Sequence, residues 1–547
     1  MTKRTAQALR RGWVKVPSRV LLIVQMVLLT FALWFLTVKF FLNRLYTTPL
    51  GTVWGVLDDV YITADYARTL AHGGGLAWFE GAPRVEGFSS PLWVFVLALL
   101  HLNPGFTEGA LGVHVVAVNL VLVLGLSIAL TLAVCPRDAN QQRLAPSFSH
   151  WLVLSGLLLL CVSAYFWTAA GFETALTALL PLVAFVLVGG PASARRATLI
   201  GLSFGAAFFC RMDSILLCWP VLGVMAIEQR WRRFLLLSAG LWLVAALALF
   251  AARRAYFGEW LPNTYFLKAT GWDLDERLWQ GFLQNRSAIY CFAFVIVPLS
   301  ALLLPAVRQR RSEILALLLA YAGTLVYSTS LGGDFAWEVL GYDRFTATGS
   351  LFLACGLARL ICEASVRPLL RFFAVPLATL AIALPIFSWV PYSLGRWIWR
   401  QPLEVRGLLR FRRSLEPRDL MAERVVHFGK AVEQVTKPGA VVAVCAAGAI
   451  PYFSRRKAID VLGKMDKHVA RLSVPRKPPR EIRCWRGFPG AGHNKEDLAY
   501  SFRARPDVST FDPPERYRSQ YRQISHEGFD IWLRNDSKLV SAAGEAQ

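Results

Sequence analysis

A polytopic α-helical membrane protein with a small α/β domain at its C-terminal end is the architecture this sequence predicts, and three observations predict it. Of its 547 residues 55% are hydrophobic and the mean hydropathy is +0.43, more apolar surface than one soluble core of this length needs. The apolar residues are gathered into about a dozen runs, many close to the roughly 20 residues a crossing helix requires. Beyond about residue 389 the runs stop, and short β-type stretches alternate with charged helical ones.

The first run, from about Val20 to Leu42, follows Lys3, Arg4, Arg10, Arg11, Lys15 and Arg19. It is too long for a signal-peptide core and lacks a small-residue cleavage site, so it reads as a retained first span behind a cytoplasmic segment, residues 1–19. Further runs fall near 88–104, 111–134, 151–168, 172–189, 196–210, 213–228, 234–252, 289–305, 313–331, 345–362 and 369–388. Arg230, Arg232 and Arg233, then Arg308, Arg310 and Arg311, then Arg367 and Arg371 mark every second late connection as cytoplasmic. The loops 43–90, 253–288 and 332–344 then face outward, together with everything after about 389. A cytoplasmic start and an outward end require an odd number of crossings. About eleven are expected over a transmembrane region 20–388, with one short run between 88 and 210 acting as a half-span or re-entrant piece.

In the first outward loop Ile62, Tyr66 and Leu70 recur at helical spacing beside Asp65 and Arg68, which predicts an amphipathic helix from Tyr61 to about Leu76 lying along the interface. In the tail, 389–547, Val441–Val444 and Lys457–Leu462 read as strands and Pro417–Val435 as a charged helix. The net charge of +23 belongs mainly to short loops and the tail, which argues for membrane topology and against nucleic acid as a partner. Residues 400–547 still carry 28 Lys and Arg against 17 Asp and Glu; a solvated basic face and attraction to anionic lipid both account for that excess. Seven cysteines (Cys135, Cys161, Cys210, Cys218, Cys291, Cys355, Cys362) sit in or beside apolar runs and read as small core hydrophobes. Cys445 and Cys484 are the two that could pair in the tail.

Chemistry is suggested most strongly by Asp58 and Asp59, adjacent carboxylates just past the first span. Acids at a membrane surface are costly to keep charged, and a positioned carboxylate can take the proton of an attacking hydroxyl. The alternative is a solvated pair at a helix start. Glu173 needs a partner or polar cavity within its long apolar tract, unless it simply opens a helix after Gly171; Arg211 and Asp213 interrupt another tract and can pair with each other. His493 and Asn494 are either glycan contacts or solvated, and Trp78 and Trp93 either stack on sugar or hold the interface. No Walker-type loop, His-Glu-x-x-His or Cys-x-x-Cys occurs, which argues against a nucleotide-powered pump or a zinc enzyme. No cofactor is required, and a divalent cation bridging Asp58 or Asp59 to a phosphate is compatible with the pair.

The order of short motifs resembles a known family. Asp58-Asp59-Val60-Tyr61-Ile62, Gly73-Gly74-Gly75-Leu76 and Arg84-Val85-Glu86-Gly87-Phe88-Ser89-Ser90-Pro91-Leu92-Trp93 are similar to the first outward loop of bacterial GT-C glycosyltransferases related to the mycobacterial terminal arabinofuranosyltransferases. There the pattern runs Asp-Asp-Ala-Tyr-Ile, Gly-x-Gly-Leu, Glu-Arg-Val-x-x-Tyr-Thr-x-Pro-Leu-Trp. Gly171 to Leu176, Pro262-Asn263-Thr264-Tyr265 with Lys268, Gly332-Gly333-Asp334-Phe335 with Arg344, and the tail segments Gly448 to Ser454, Ile459 to Gly463 and Gly490 to Lys495 follow in the family's order. The chain departs from the pattern at Phe79, where Asn is common, and at Pro83, where Glu precedes the arginine.

The resemblance implies an inverting transfer of a monosaccharide, arabinofuranose being one candidate, from a polyprenyl-phosphate donor to an envelope glycan, lipid or protein. It implies a multi-pass protein of the bacterial inner membrane with its active site toward the periplasm. Asp58 would be the base and Asp59 would position it. Lys268 and Arg344 would bind the donor phosphate, unless Lys268 only snorkels and Arg344 only pairs with Asp343 or Asp334. Arg68, Trp78, Glu86, Glu173, Asp334 and His493 would contact substrate. The competing reading is a non-enzymatic flippase or scaffold for lipid-linked sugars; the clustering of acids at one face, instead of through the spans, favours chemistry.

Overall fold

The computed structural model describes residues 18–135, 146–307, 310–334, 343–364, 366, 368–387, 420–474 and 492–541. The early cluster Lys3 to Lys15, Arg308, Phe335, Arg367, Cys484, Gly490 and Ala491 lie outside them, and with Cys484 goes the pairing open to Cys445.

Every apolar run is helical. Six helices are long and apolar enough to cross a membrane: Arg19–Leu42, Glu108–Val134, Gln229–Phe257, Leu274–Ala306, Arg311–Ser330 and Arg344–Glu363. Phe148–Leu159 and Val162–Ala169 pass the same test as a pair bent by 57°, a broken span or re-entrant loop in the window where the sequence places one. Pro91–His101, Thr174–Val188, Met212–Ile227 and Pro368–Ala383 are shorter apolar helices, so eleven crossings would require short helices to cross as well. Side chains such as Phe31, Phe35, Leu236, Val244 and Phe294 are each more than 60% exposed on these helices, which only a lipid environment makes tolerable. Six of the seven run cysteines are fully buried, as small hydrophobes would be, and Cys362 is half-buried.

Two expectations shift. The outward loop read as 253–288 is shorter, because Gln229–Phe257 continues to Phe257 and a helix begins at Leu274; its polar opening turns, with Asp275, Glu276 and Arg277, hid it from a hydropathy reading. The amphipathic segment is a helix, Asp58–Ala71, but it does not lie free on an interface. Val60, Tyr61, Ile62, Ala64, Asp65, Tyr66, Ala67 and Thr69 are all buried, because Pro91–His101 packs on one side of it and the tail on another. Ahead of it a hairpin that the pattern did not reveal pairs β1, Leu45–Thr48, with β2, Gly51–Trp54.

The tail is the expected α/β unit. Its five-stranded sheet has the order β4-β3-β5-β7-β6, with β3 Val441–Val444, β4 Lys457–Asp460, β5 Val508–Ser509, β6 Tyr521–His526 and β7 Phe529–Arg534. β3 runs parallel to β4 and β5, while β7 is antiparallel to β5 and β6. Leu420–Gln434 covers one part of it through Phe428, whose ring stacks on Phe529 at 4.4 Å. Ala449–Ser454, between β3 and β4, docks the tail onto Asp58–Ala71, with Tyr452 and Phe453 at 5.1 and 5.2 Å from the ring of Tyr61.

Candidate active site

The acid helix opens at Asp58 and Asp59, in the first turn where the helix dipole favours carboxylates. The two side chains have different surroundings. Asp58 accepts the backbone N–H of Ala449 at 2.7 Å and of Gly448 at 3.3 Å, so the start of the tail's docking helix sits on it. Gly448 is required for this approach, since a Cβ there would lie 1.8 Å from the carbonyl oxygen of Asp58. Burial pushes the Asp58 carboxyl up to about 6, the charge of Asp59 adding to the effect while the Ala449 N–H and Lys464 oppose it.

Asp59 faces cations. Its Oδ2 accepts from Arg344 at 3.1 Å and its Oδ1 from the ammonium of Lys464. Burial alone would raise its carboxyl, but Lys464, Arg344 and Lys268 overcome that and hold it far below the usual range. Lys268, in the helix Asn263–Ala269, is lowered to about 7 by burial first and then by the charges of Arg344 and Lys464. Its ammonium stands 5.6 Å from the ring centre of Phe345.

Each cation is held by its own scaffold. Arg344 opens the helix Arg344–Glu363, capped by Asp343, which accepts from the N–H of Phe345 at 2.7 Å. Asp334 accepts the backbone N–H of Arg344 at 2.9 Å, and the guanidinium lies 5.2 Å from the ring centre of Phe172. Lys464 rides on a tight turn after β4. Asp460 accepts the N–H groups of Leu462 and Met465, both at 2.9 Å, and Gly463 takes the left-handed φ of 89°. The Asn263 side-chain amide then donates to the carbonyls of Gly463 and Lys464, both at 2.9 Å, and of Asp466 at 3.2 Å. Asn263 also donates its backbone N–H to the carbonyl of Glu86 at 3.0 Å, joining the first loop to the tail.

Asp58, Asp59, Lys268, Arg344 and Asp334 are therefore brought together, and His493 comes near through its neighbour: a Cβ on Gly492 would meet Lys268 Cε at 3.3 Å. The other expected substrate contacts are placed elsewhere. Glu86 is buried and bonded by Arg253 at 2.8 and 3.0 Å. Glu173 accepts from Arg211 at 3.0 Å, and Arg211 also pairs with Asp213 at 2.7 Å, beside a cavity of about 20 Å³ that reaches Arg344. Arg68 bonds Asp65, Glu108 and the carbonyl of Tyr452 at the far part of the acid helix, and Trp78 is buried against Phe79. Three contributors were given no role by sequence reasoning. Lys464 stands one residue past a recognised motif, while Asn263 and Lys495 lie inside two others, and Lys495 closes over the Lys268 helix by donating to the carbonyls of Phe266, Thr270 and Ala470. Among the described residues no group of three or more His, Cys, Asp or Glu is arranged to hold a metal ion.

The fold and the placement of this cluster define the class: a multi-pass helical membrane protein with a mixed-sheet domain docked on the helix Asp58–Ala71. Among solved structures, ArnT from Cupriavidus metallidurans in the apo state is similar, with a TM-score of 0.52 and 12% identity over 93% of this chain and 97% of that one. The same protein bound to undecaprenyl phosphate is similar with a TM-score of 0.51 and 12% identity over 95% and 99%. A family model described as a domain of unknown function, DUF8728, matches residues 417–540, the tail. No curated protein matches.

Proposed function

We propose that this protein is an inverting glycosyltransferase that takes a monosaccharide from a polyprenyl-phosphate donor at the periplasmic face of the bacterial inner membrane and gives it to a hydroxyl of an envelope glycan, lipid or protein. The observation that carries the reading is the convergence of Lys268, Arg344 and Lys464 on the carboxylate pair at the start of the first extramembrane helix. Arg344 and Lys464 are both bonded to Asp59, and the ammonium of Lys268 beside them offers a charge-assisted donor to an incoming phosphate oxygen. The undecaprenyl phosphate bound by a protein of this fold supports a donor of that chemistry. Arabinofuranose is one candidate sugar, from the motif resemblance.

In the reaction the acceptor oxygen bonds to the anomeric carbon from the face opposite the phosphate, the carbon–oxygen bond to phosphate breaks, and the acceptor proton passes to Asp58. Asp58 suits that role because two of its roughly four lone-pair positions remain after the N–H bonds from Gly448 and Ala449, and its raised affinity for protons makes it the better base of the pair. Asp59, held ionised, keeps Arg344 and Lys464 in place. The departing phosphate gains its charge beside the cations.

The test supplies purified protein with a radiolabelled undecaprenyl-phosphate sugar and crude envelope acceptor. Wild type is expected to transfer label, and Lys464→Met and Lys268→Met to bind the donor at least about tenfold more weakly, as loss of a charge-assisted contact implies. Movement of labelled lipid between leaflets with transfer to no acceptor would identify a flippase instead.

A further inference from the structure

The acid helix has a second charged region that the transfer chemistry does not use. Arg68 lies ten residues beyond Asp58 in sequence, about 15 Å along the axis at about 1.5 Å per residue. There it borders an open cavity of about 660 Å³ between the first loop and the tail, inside the roughly 300–1,000 Å³ typical of ligand sites. The tail contributes three successive cations, Arg455, Arg456 and Lys457, and the loop contributes the ring of Phe79.

Charge and shape narrow the ligand. The lining acids are Glu80 and Glu108, and Glu108 is already engaged, with Oε1 3.0 Å from Arg68 and Oε2 3.0 Å from Arg455. Arg456 is fixed in place by hydrogen bonds to Thr436 and to the carbonyl of Glu433, and Lys457 is exposed at the rim. Arg455 adopts a φ of 53°, a left-handed cap where glycine is the ordinary residue, so a side chain is carried at a position that disfavours one. The remaining lining is Thr69, His72, Gly74 and Gly439, without the aliphatic walls an acyl chain requires.

We propose that this cavity binds an anionic stretch of saccharide, bearing carboxylate or phosphate groups, that belongs to the acceptor. Arg456 and Lys457 take its charged substituents and Phe79 offers a ring face for a sugar, while the acceptor hydroxyl lies several sugar units away at Asp58. The inference rests on the transferase reading, and it gives the tail cations that line the cavity a role.

The experiment measures binding to the full-length protein in detergent, with an oligomer of galacturonic acid as anionic probe, a maltooligosaccharide of equal length as neutral probe, and phosphatidylglycerol vesicles as the lipid arm. The galacturonate oligomer is expected to bind at least about tenfold more tightly than the neutral one and to weaken as salt rises. Lys457→Glu and, separately, Arg456→Gln are expected to lose that preference while undecaprenyl phosphate binds unchanged, which shows that the variants are folded. Equal binding of both oligosaccharides, unchanged binding by both variants, or capture of the vesicles but not the oligomer would overturn the proposal. Saccharide binding as expected in a protein that transfers no sugar would overturn the transferase reading and leave the cavity assignment standing.

Discussion

Asp58 and Lys268 titrate on opposite sides of one reaction. A base must be deprotonated, so transfer should fall as pH drops through about 6, where Asp58 takes up its proton. A phosphate-binding ammonium must stay charged, so donor affinity should weaken as pH rises through about 7, where Lys268 loses its proton. The product is a bell-shaped profile in kcat/KM, and Lys268→Arg, whose guanidinium stays charged, should remove the alkaline limb and leave the acid one. Glu86 makes a contrasting case, since it and Arg253 are 3% and 2% exposed and bond each other. Removing one partner strands a buried charge, so Glu86→Ala should cost about 3–5 kcal/mol of stability, read as a lowered Tm in detergent. At this scale Asp58 and Asp59 were marked by their adjacency just past the first span and Lys268 and Arg344 by their place on loops assigned outward, whereas Glu173, Arg211 and Asp213, which interrupt apolar tracts, pair with one another. Lys464 carries no such mark: it sits in a charged tail, placed by the Asp460 turn and the distant Asn263.

The elements that deliver these residues are a helix start and a turn, both fixed by backbone contacts. Gly448→Ala would drive a methyl into the Asp58 carbonyl, so the tail should lose its seat on the acid helix. Limited proteolysis should then cut between the membrane region and the tail faster than in wild type, and donor affinity should fall with the displaced Lys464. Asn263→Ala removes three hydrogen bonds from the turn 463–466 and should raise the donor KM by about tenfold or more, given roughly 1–3 kcal/mol for carbonyls left unpaired. Helix bounds were legible to within a few residues because lipid imposes a long apolar run. The hairpin β1–β2 and the polar first turns of Leu274–Ala306 were not, since four-residue strands and amphipathic helix starts leave little period to read.

Across the whole molecule, the basic connections divided the loops into two sets, and the set assigned outward is the one that meets. Asp59 comes from the first loop, Lys268 from the connection after Phe257, Arg344 from the end of 332–344 and Lys464 from the tail. Four segments far apart in sequence share one site, which is why the site itself needed the packed structure. Single cysteines at positions 73 and 457, both exposed, should react with a membrane-impermeant maleimide from outside intact cells; protection of both until lysis would reverse the orientation. The most direct measurement is single-turnover transfer from an undecaprenyl-phosphate-linked sugar by Asp58→Asn, with donor binding measured in parallel. Loss of about 10²–10⁴ in rate with donor affinity held near wild type is what a base at Asp58 predicts; transfer at the wild-type rate would contradict it.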